Sequence, residues 1–244
     1  MSTKQYIRKL LNFFHLDITQ NLTYDRLTKL IIKKAVKENS NCIDIGCHKG
    51  EILDLILQNA PKGTHFAFEP IPHFYDLLVQ KFGDKATVFP HALANTEGTT
   101  SFNYVKNAPA YSGIKKRSYS IKNPIIEKIT VNVKPLDAVI PKNTKIDFIK
   151  IDVEGGEFDV LKGASRILQE NSPLIIFENG LGASEFYDTN PKELFDFFKK
   201  KNYKLYLLKS YVKKLPPLSI KEFENVYHNN EEYYFVASKE NFNG

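Results

Sequence analysis

The chain has 244 residues, 42% of them hydrophobic and 25% charged, a balance that supports a packed core and excludes global disorder. The length suits one domain with an extension. The formal net charge of +6 is almost all scattered lysine, which reads as solvated helix faces and loops, so no nucleic-acid partner is expected.

No apolar run is long enough to cross a bilayer, so no transmembrane segment is expected. The N-terminal stretch is amphipathic, without the apolar core and cleavage site of a signal peptide, and the expected location is the cytoplasm. Cys42 and Cys47 make neither a metal quartet nor a disulfide framework and are expected to be buried thiols.

Residues 4–16 and 23–38 predict helices, the second from the amphipathic spacing of Leu27, Leu30, Ile31 and Val36. Residues 41–46 then predict a buried strand ending in glycine, 50–59 a helix, 64–69 a second strand stopped by Pro70, 73–82 a helix and 86–91 a third strand. This alternation implies a parallel sheet covered on both faces. Residues 99–105 and 127–133 are β-rich, and the polar stretch 106–124 between them is too long for an ordinary hairpin loop, so it is either functional or mobile. Alternation resumes with a strand over 146–151, a helix over 156–170 and a strand over 173–178. Pro191 opens a helix to about 201, and strands follow at 203–208 and 232–238.

The run Asp44-Ile-Gly-Cys-His-Lys-Gly50 sits at the first strand-to-helix turn. Gly46 lets the backbone turn beside a ligand, Gly50 permits close approach, and the helix start offers free N–H groups. The dinucleotide fingerprint and the phosphate-binding P-loop are both absent, which disfavours NAD and nucleoside triphosphates. Glu69 ends the second strand, where an acid in a doubly wound fold reaches the ribose hydroxyls of an adenosine cofactor. Asp152 ends a buried strand, and Glu154 and Glu157 follow it around a glycine pair. These acids could bind a cofactor's amino group, hold a substrate or act as a base; equally, they could open a helix whose dipole favours them. Glu178 ends another strand at the same sheet edge. His48 and His91 follow strand ends and are candidate bases, as imidazole titrates near working pH. Asp152, Glu154 and Glu178 form an oxygen set that suits a hard cation, but no spacing demands one and no metal is expected.

The ordered series Asp44-Ile-Gly-x3-Gly50, Phe68-Glu-Pro-Ile-Pro72, His91-Ala-Leu93, Val133-x2-Leu136-Asp137, Ile149-Lys-Ile-Asp-Val-Glu-Gly155 (continuing through Glu157 and Val160-Leu161-x-Gly-Ala164) and Pro173-x3-Phe-Glu178 resembles the FkbM family of S-adenosylmethionine (SAM)-dependent methyltransferases. The first loop departs from the family's D-x-G-A-N-x-G, with Cys47 and His48 replacing Ala and Asn, which puts the contact from position 48 in question. The resemblance implies a Rossmann-like class I methyltransferase fold: α/β, with a seven-stranded, mostly parallel sheet, helices on both faces and the last strand antiparallel. The expected organisation is a helical extension over 1–40 and a methyltransferase domain over 41–244 with a β-rich insertion and loop at about 99–134.

The resemblance further implies SAM as cofactor, held by Asp44, Gly46, His48, Gly50, Glu69, Pro70, Ala92 and Asp152, and O-methylation of a sugar, glycan or other small-molecule hydroxyl. Asp152, Glu178 and His91 are the expected catalytic residues. Glu154, Tyr111 and Arg117 are expected to hold the substrate, the last two from the polar stretch that would cover it. The alternatives are a lipid-linked or secondary-metabolite acceptor, a binding protein that keeps the fold without turnover, and an RNA methyltransferase favoured only by charge.

Overall fold

The computed structural model describes residues 19–239. The helix expected over 4–16 lies outside the described residues. Helix α1 (Gln20–Ala35) begins at Thr19, whose side chain accepts the Leu22 N–H at 3.3 Å, as an N-cap does. There follow β1 (Cys42–Ile45), α2 (Glu51–Asn59), β2 (His65–Phe68), α3 (Pro72–Phe82) and β3 (Thr87–Phe89). Next come β4 (His91–Leu93), β5 (Gly98–Val105), β6 (Ile126–Lys134) and the short α4 (Leu136–Val139). The chain continues with β7 (Phe148–Ile151), α5 (Glu157–Lys162), α6 (Ser165–Glu170), β8 (Leu174–Glu178) and α7 (Pro191–Lys200). It closes with β9 (Lys204–Leu207), α8 (Leu208–Val212), α9 (Ile220–His228) and β10 (Tyr234–Ser238).

Seven strands form one sheet in the order β3-β2-β1-β7-β8-β10-β9, and β10 alone runs opposite to the other six. This is the Rossmann-like architecture expected from the sequence. Successive side chains on each strand go to opposite faces. Ile43, Ile149, Ile175, Phe177 and Phe235 pack on one face with Leu194 and Phe198 of α7. Cys42, Phe148, Ile176 and Val236 pack on the other with Tyr24, Leu27 and Ile31 of α1. Each fully buried large side chain here, such as Phe177, contributes roughly 1.5–3 kcal/mol by leaving water. Both cysteines are buried. Among the described residues no helix is long and apolar enough to cross a membrane.

Three local expectations change. The strand expected over 86–91 is two strands: Pro90 has no N–H for a ladder, so the main sheet ends at Phe89 and His91 starts a second sheet, β4-β6-β5. The helix expected over 156–170 breaks between α5 and α6. The Gly163 carbonyl accepts the Asp137 N–H at 2.9 Å, while the Asp137 carboxylate caps the Arg166 and Ile167 N–H groups at 2.7 and 3.1 Å. Between β9 and β10, where sequence reasoning assigns no element, α8 and α9 form, the latter opened by a Ser219–Glu222 capping box.

The polar stretch 106–124 folds over the carboxyl edge of the main sheet. Ser118 N–H donates to the Gly182 carbonyl at 2.8 Å, and Lys115 N–H donates to the Tyr187 hydroxyl at 2.9 Å.

Candidate active site

The strand order reverses between β1 and β7, and open α/β sheets bind ligands outside the carboxyl ends of such a pair. The two loops leaving these strands touch. Asp152 N–H donates to the Ile45 carbonyl at 3.0 Å, and a Cβ on Gly46, whose φ is +78°, would stand 1.8 Å from the Asp152 carbonyl oxygen. Glycine is therefore required at 46 by the approach of β7. Gly50 serves a different contact: its missing Cβ makes room for Leu78 and Phe82 of α3, 2.7 and 2.6 Å from where that carbon would lie.

One cavity, of about 190 Å³, lies over this junction. Phe68, Ile71, Phe102 and Ile114 give it apolar walls, and Glu69 gives it a buried carboxylate. Glu69 accepts the His48 N–H at 2.8 Å on one oxygen and the Ile71 N–H at 2.9 Å on the other. A carboxylate offers about four acceptor positions, so each oxygen keeps one. Burial pushes the Glu69 carboxyl up to about 7. His48 and His91 line the same cavity, and burial lowers both below the ordinary imidazole value, which favours the neutral ring. His48 Nε2 and His91 Nδ1 are buried without a hydrogen-bond partner.

A second, more open groove of about 640 Å³ adjoins the first and shares Ala110, Asp152 and Glu154 with it. Its floor follows from strand register. Asp44 pairs with Lys150 across β1 and β7, Lys150 pairs with Ile176 across β7 and β8, and Glu178 pairs with Tyr234 across β8 and β10. Asp152 and Glu178 each lie two residues beyond a paired position, so all five polar residues share the face covered by α1. Lys150, almost fully buried, donates from Nζ to Asp152 Oδ2 at 2.8 Å, and the Tyr234 hydroxyl donates to the same oxygen at 2.6 Å.

Burial opposes charge on Asp152, but the Lys150 ammonium and these hydrogen bonds outweigh it and hold the carboxyl at about 2. Burial, then the charges of Asp152 and Glu157, push Glu178 well above the usual carboxylate range, so it carries the proton. Burial also raises Asp44, to about 6, and its Oδ2 has no hydrogen-bond partner. Glu157 accepts the Val153 and Gly155 N–H groups at 2.8 and 3.2 Å and so ties down the loop that precedes α5.

Arg117 reaches this edge from the polar stretch, ion-paired with Glu154 and lying 5.1 Å from the centre of the Tyr111 ring. Asp152, Glu154 and Glu178 bring one carboxylate oxygen each within 4.8 Å of one another. Lys150 and Arg117 supply positive charge to two of the three.

Of the residues singled out in the sequence, Gly46, His48, Glu69, Pro70, His91 and Ala92 line the first cavity. Tyr111, Arg117 and Glu178 line the groove, and Asp152 and Glu154 line both. Asp44 lies buried on β1 and Gly50 packs against α3. Sequence reasoning missed Tyr234 and the part played by Lys150. The signal for Lys150 was its parity with Asp152: a lysine in an otherwise apolar strand, two residues before a strand-end acid, must share that acid's face.

No curated protein matches the chain. Among solved structures it is similar to a methyltransferase FkbM from Methylobacillus flagellatus, with 16% identity and a TM-score of 0.51, over 82% of this chain and 44% of that one. The chain thus spans less than half of that protein. It is also similar to a TehB-like SAM-dependent methyltransferase from Corynebacterium glutamicum (12% identity, TM-score 0.45, 94% and 97% of the two chains). A Streptococcus mutans protein in complex with SAH is a further match (10% identity, TM-score 0.47, 87% and 95%). At 16% identity the first of these speaks to the fold alone. The family model described as the methyltransferase FkbM domain matches residues 44–205, more than half of the chain, and the chain belongs to the FkbM methyltransferase family.

Proposed function

We propose that the protein is a SAM-dependent O-methyltransferase whose acceptor is a hydroxyl of a sugar or glycan. The observation that carries this reading is the meeting of two compartments at Asp152 and Glu154: an apolar-walled cavity holding Glu69, and an open groove lined with carboxylates and tyrosines. The cavity suits the adenosine part of SAM. Glu69 has an acceptor position free on each oxygen for a ribose diol, the apolar walls suit a purine, and His48 Nε2 and His91 Nδ1 are buried polar atoms still lacking partners. Gly46 keeps the floor open to within contact of β7.

When bound, SAM supplies an electrophilic methyl carbon and a neutral thioether leaving group. The chain's own residues align the acceptor and manage its proton. Transfer of that methyl from sulfur to the acceptor oxygen would leave the hydroxyl proton to be taken by a carboxylate of this chain. Asp152 is ionised at the junction; its Oδ2 takes the Lys150 and Tyr234 bonds and Glu178 gives the carboxylate a third, so of its roughly four acceptor positions one is left. A carboxylate this weak suffices as proton acceptor, because the hydroxyl becomes strongly acidic once its oxygen shares electrons with the methyl carbon. Glu178, holding its own proton, is a donor beside Asp152 and not the base. Tyr111, Arg117 and Glu154 border the groove where a polyhydroxylated acceptor would lie, offering a ring face and hydrogen-bonding groups.

Calorimetry with SAM and S-adenosylhomocysteine, followed by transfer of labelled methyl to a panel of sugars and glycans, tests the reading. Micromolar binding and label on sugar oxygen are expected. Folded protein that binds neither ligand, or that labels only nitrogen or carbon, would overturn it.

A further inference from the structure

The sheet interior holds one feature that the reaction above does not use. Lys150 sits in the central strand β7 among Phe148, Ile149 and Ile151, where an unpaired ammonium would be strongly disfavoured. Its Nζ lies 2.8 Å from Asp152 Oδ2 and 5.3 Å from the centre of the Tyr234 ring, while the Tyr234 hydroxyl approaches the same carboxylate oxygen at 2.6 Å. Across the register stands Asp44, buried, on the strand that leads into the Gly46 loop. One cation therefore faces an acid beneath the first cavity and an acid at the rim of the groove.

We propose that Lys150 is a positioning residue for methyl transfer: with Tyr234 it holds Asp152 by Oδ2, so that the acceptor position left on the carboxylate is turned toward the acceptor hydroxyl. The assignment rests on the functional reading given above. Two donors from different strands converge on one oxygen, which fixes both the position and the rotation of a short carboxylate that would otherwise turn about its own bonds. Neither donor lines the Glu69 cavity and both line the groove, so they reach Asp152 from the acceptor side. The groups facing Asp152 are Lys150 on its own strand, Asp44 on β1, the neutral His48 after β1, Glu154 in the loop after β7, Glu157 beyond that loop, Glu178 on β8 and Tyr234 on β10. Lys150 is the cation among them.

The test is a double-mutant cycle. Lys150→Met keeps the stem and removes the charge; displacement of a reacting group by about an ångström costs on the order of a hundredfold in rate. The expected result is a kcat about 100-fold lower, with S-adenosylhomocysteine affinity within threefold of wild type and Lys150→Arg recovering most of the loss. In an Asp152→Asn background, Lys150→Met should lower kcat no further, since it acts through the residue already changed. Additive losses, or a loss confined to cofactor binding, would overturn the proposal.

Should Lys150→Met fail to fold, Tyr234→Phe in the same cycle asks the same question, with a loss of about tenfold expected and again none in the Asp152→Asn background. If the wild-type protein methylates no hydroxyl, the functional reading fails by itself. The positioning role is then read in ligand-free protein by carbon NMR of the Asp152 carboxyl. Its titration should move up by at least about one pH unit in Lys150→Met, a shift of about tenfold in proton affinity. An unmoved titration would overturn the role.

Discussion

Lowering the pH from about 8 to about 6 should weaken S-adenosylhomocysteine binding about tenfold, and Glu69 should be the cause. Burial holds its carboxyl at about 7 in the ligand-free protein, and only the ionised form accepts fully from two ribose hydroxyls. The apparent Kd scales with the inverse of the competent fraction, so it rises roughly elevenfold at one pH unit below that value and by about a tenth at one unit above. Binding at about pH 6 should accordingly release close to one proton, which calorimetry in two buffers of different ionisation enthalpy measures directly.

Stability of the ligand-free protein runs the other way. The folded value lies above the ordinary 4.5, so between the two the folded state holds a proton that the unfolded state has lost. Stability therefore falls as pH rises through that window. Asp44, at about 6, adds to the low end of the binding profile, so the control is Glu69→Gln. That substitution should flatten the upper limb and cost about 1.5–3 kcal/mol of affinity at pH 8, the range for hydrogen bonds to a charged group. A flat profile in the wild type, or a slope that survives in Glu69→Gln, would refute the reasoning.

Gly46→Ala should abolish measurable S-adenosylhomocysteine binding and lower the melting temperature, because its Cβ would stand 1.8 Å from a backbone oxygen at a positive φ; calorimetry and a thermal melt check it. Asp137→Ala should cost about 1–2 kcal/mol of stability in denaturant unfolding through two lost N–H caps at α6, with kcat per folded molecule unchanged. Asp152→Asn should lower kcat by ~10²–10⁴-fold in the labelled-methyl assay, with cofactor affinity within a few-fold. It should also cost about 1–3 kcal/mol in unfolding, because the buried Lys150 loses its charged partner; a melt identical to wild type would mean that the pair contributes nothing.

The fold was legible in sequence wherever one face of an element had to be apolar. Four strands of the main sheet, β1, β2, β7 and β8, announced themselves as short apolar runs ended by Gly46, Glu69, Asp152 and Glu178, and their parallel direction followed from the intervening helices. Breaks set by contacts distant in sequence were not legible. Nothing near residue 163 says that its carbonyl will be taken by Asp137, which is what divides α5 from α6. Pro90 did carry a local signal, a missing donor inside a strand, yet its consequence depended on a second sheet waiting for His91. Likewise Ser219 and Glu222 spell a capping box that marks α9 before any tertiary contact is considered.

The candidate site divides along the same line. Single-strand logic reaches Glu69, Asp152 and Glu178, because each ends a buried run. The company they keep depends on register between strands far apart in the chain. Tyr234 meets Asp152 only because β10 inserts antiparallel beside β8, which brings the first residue of one strand opposite the last of the other. That reversal gives the groove a donor where a parallel neighbour would present the carboxyl end of another strand. A methyl acceptor in the groove would thus meet a carboxylate held from two directions, by Lys150 along its own strand and by Tyr234 from the antiparallel one.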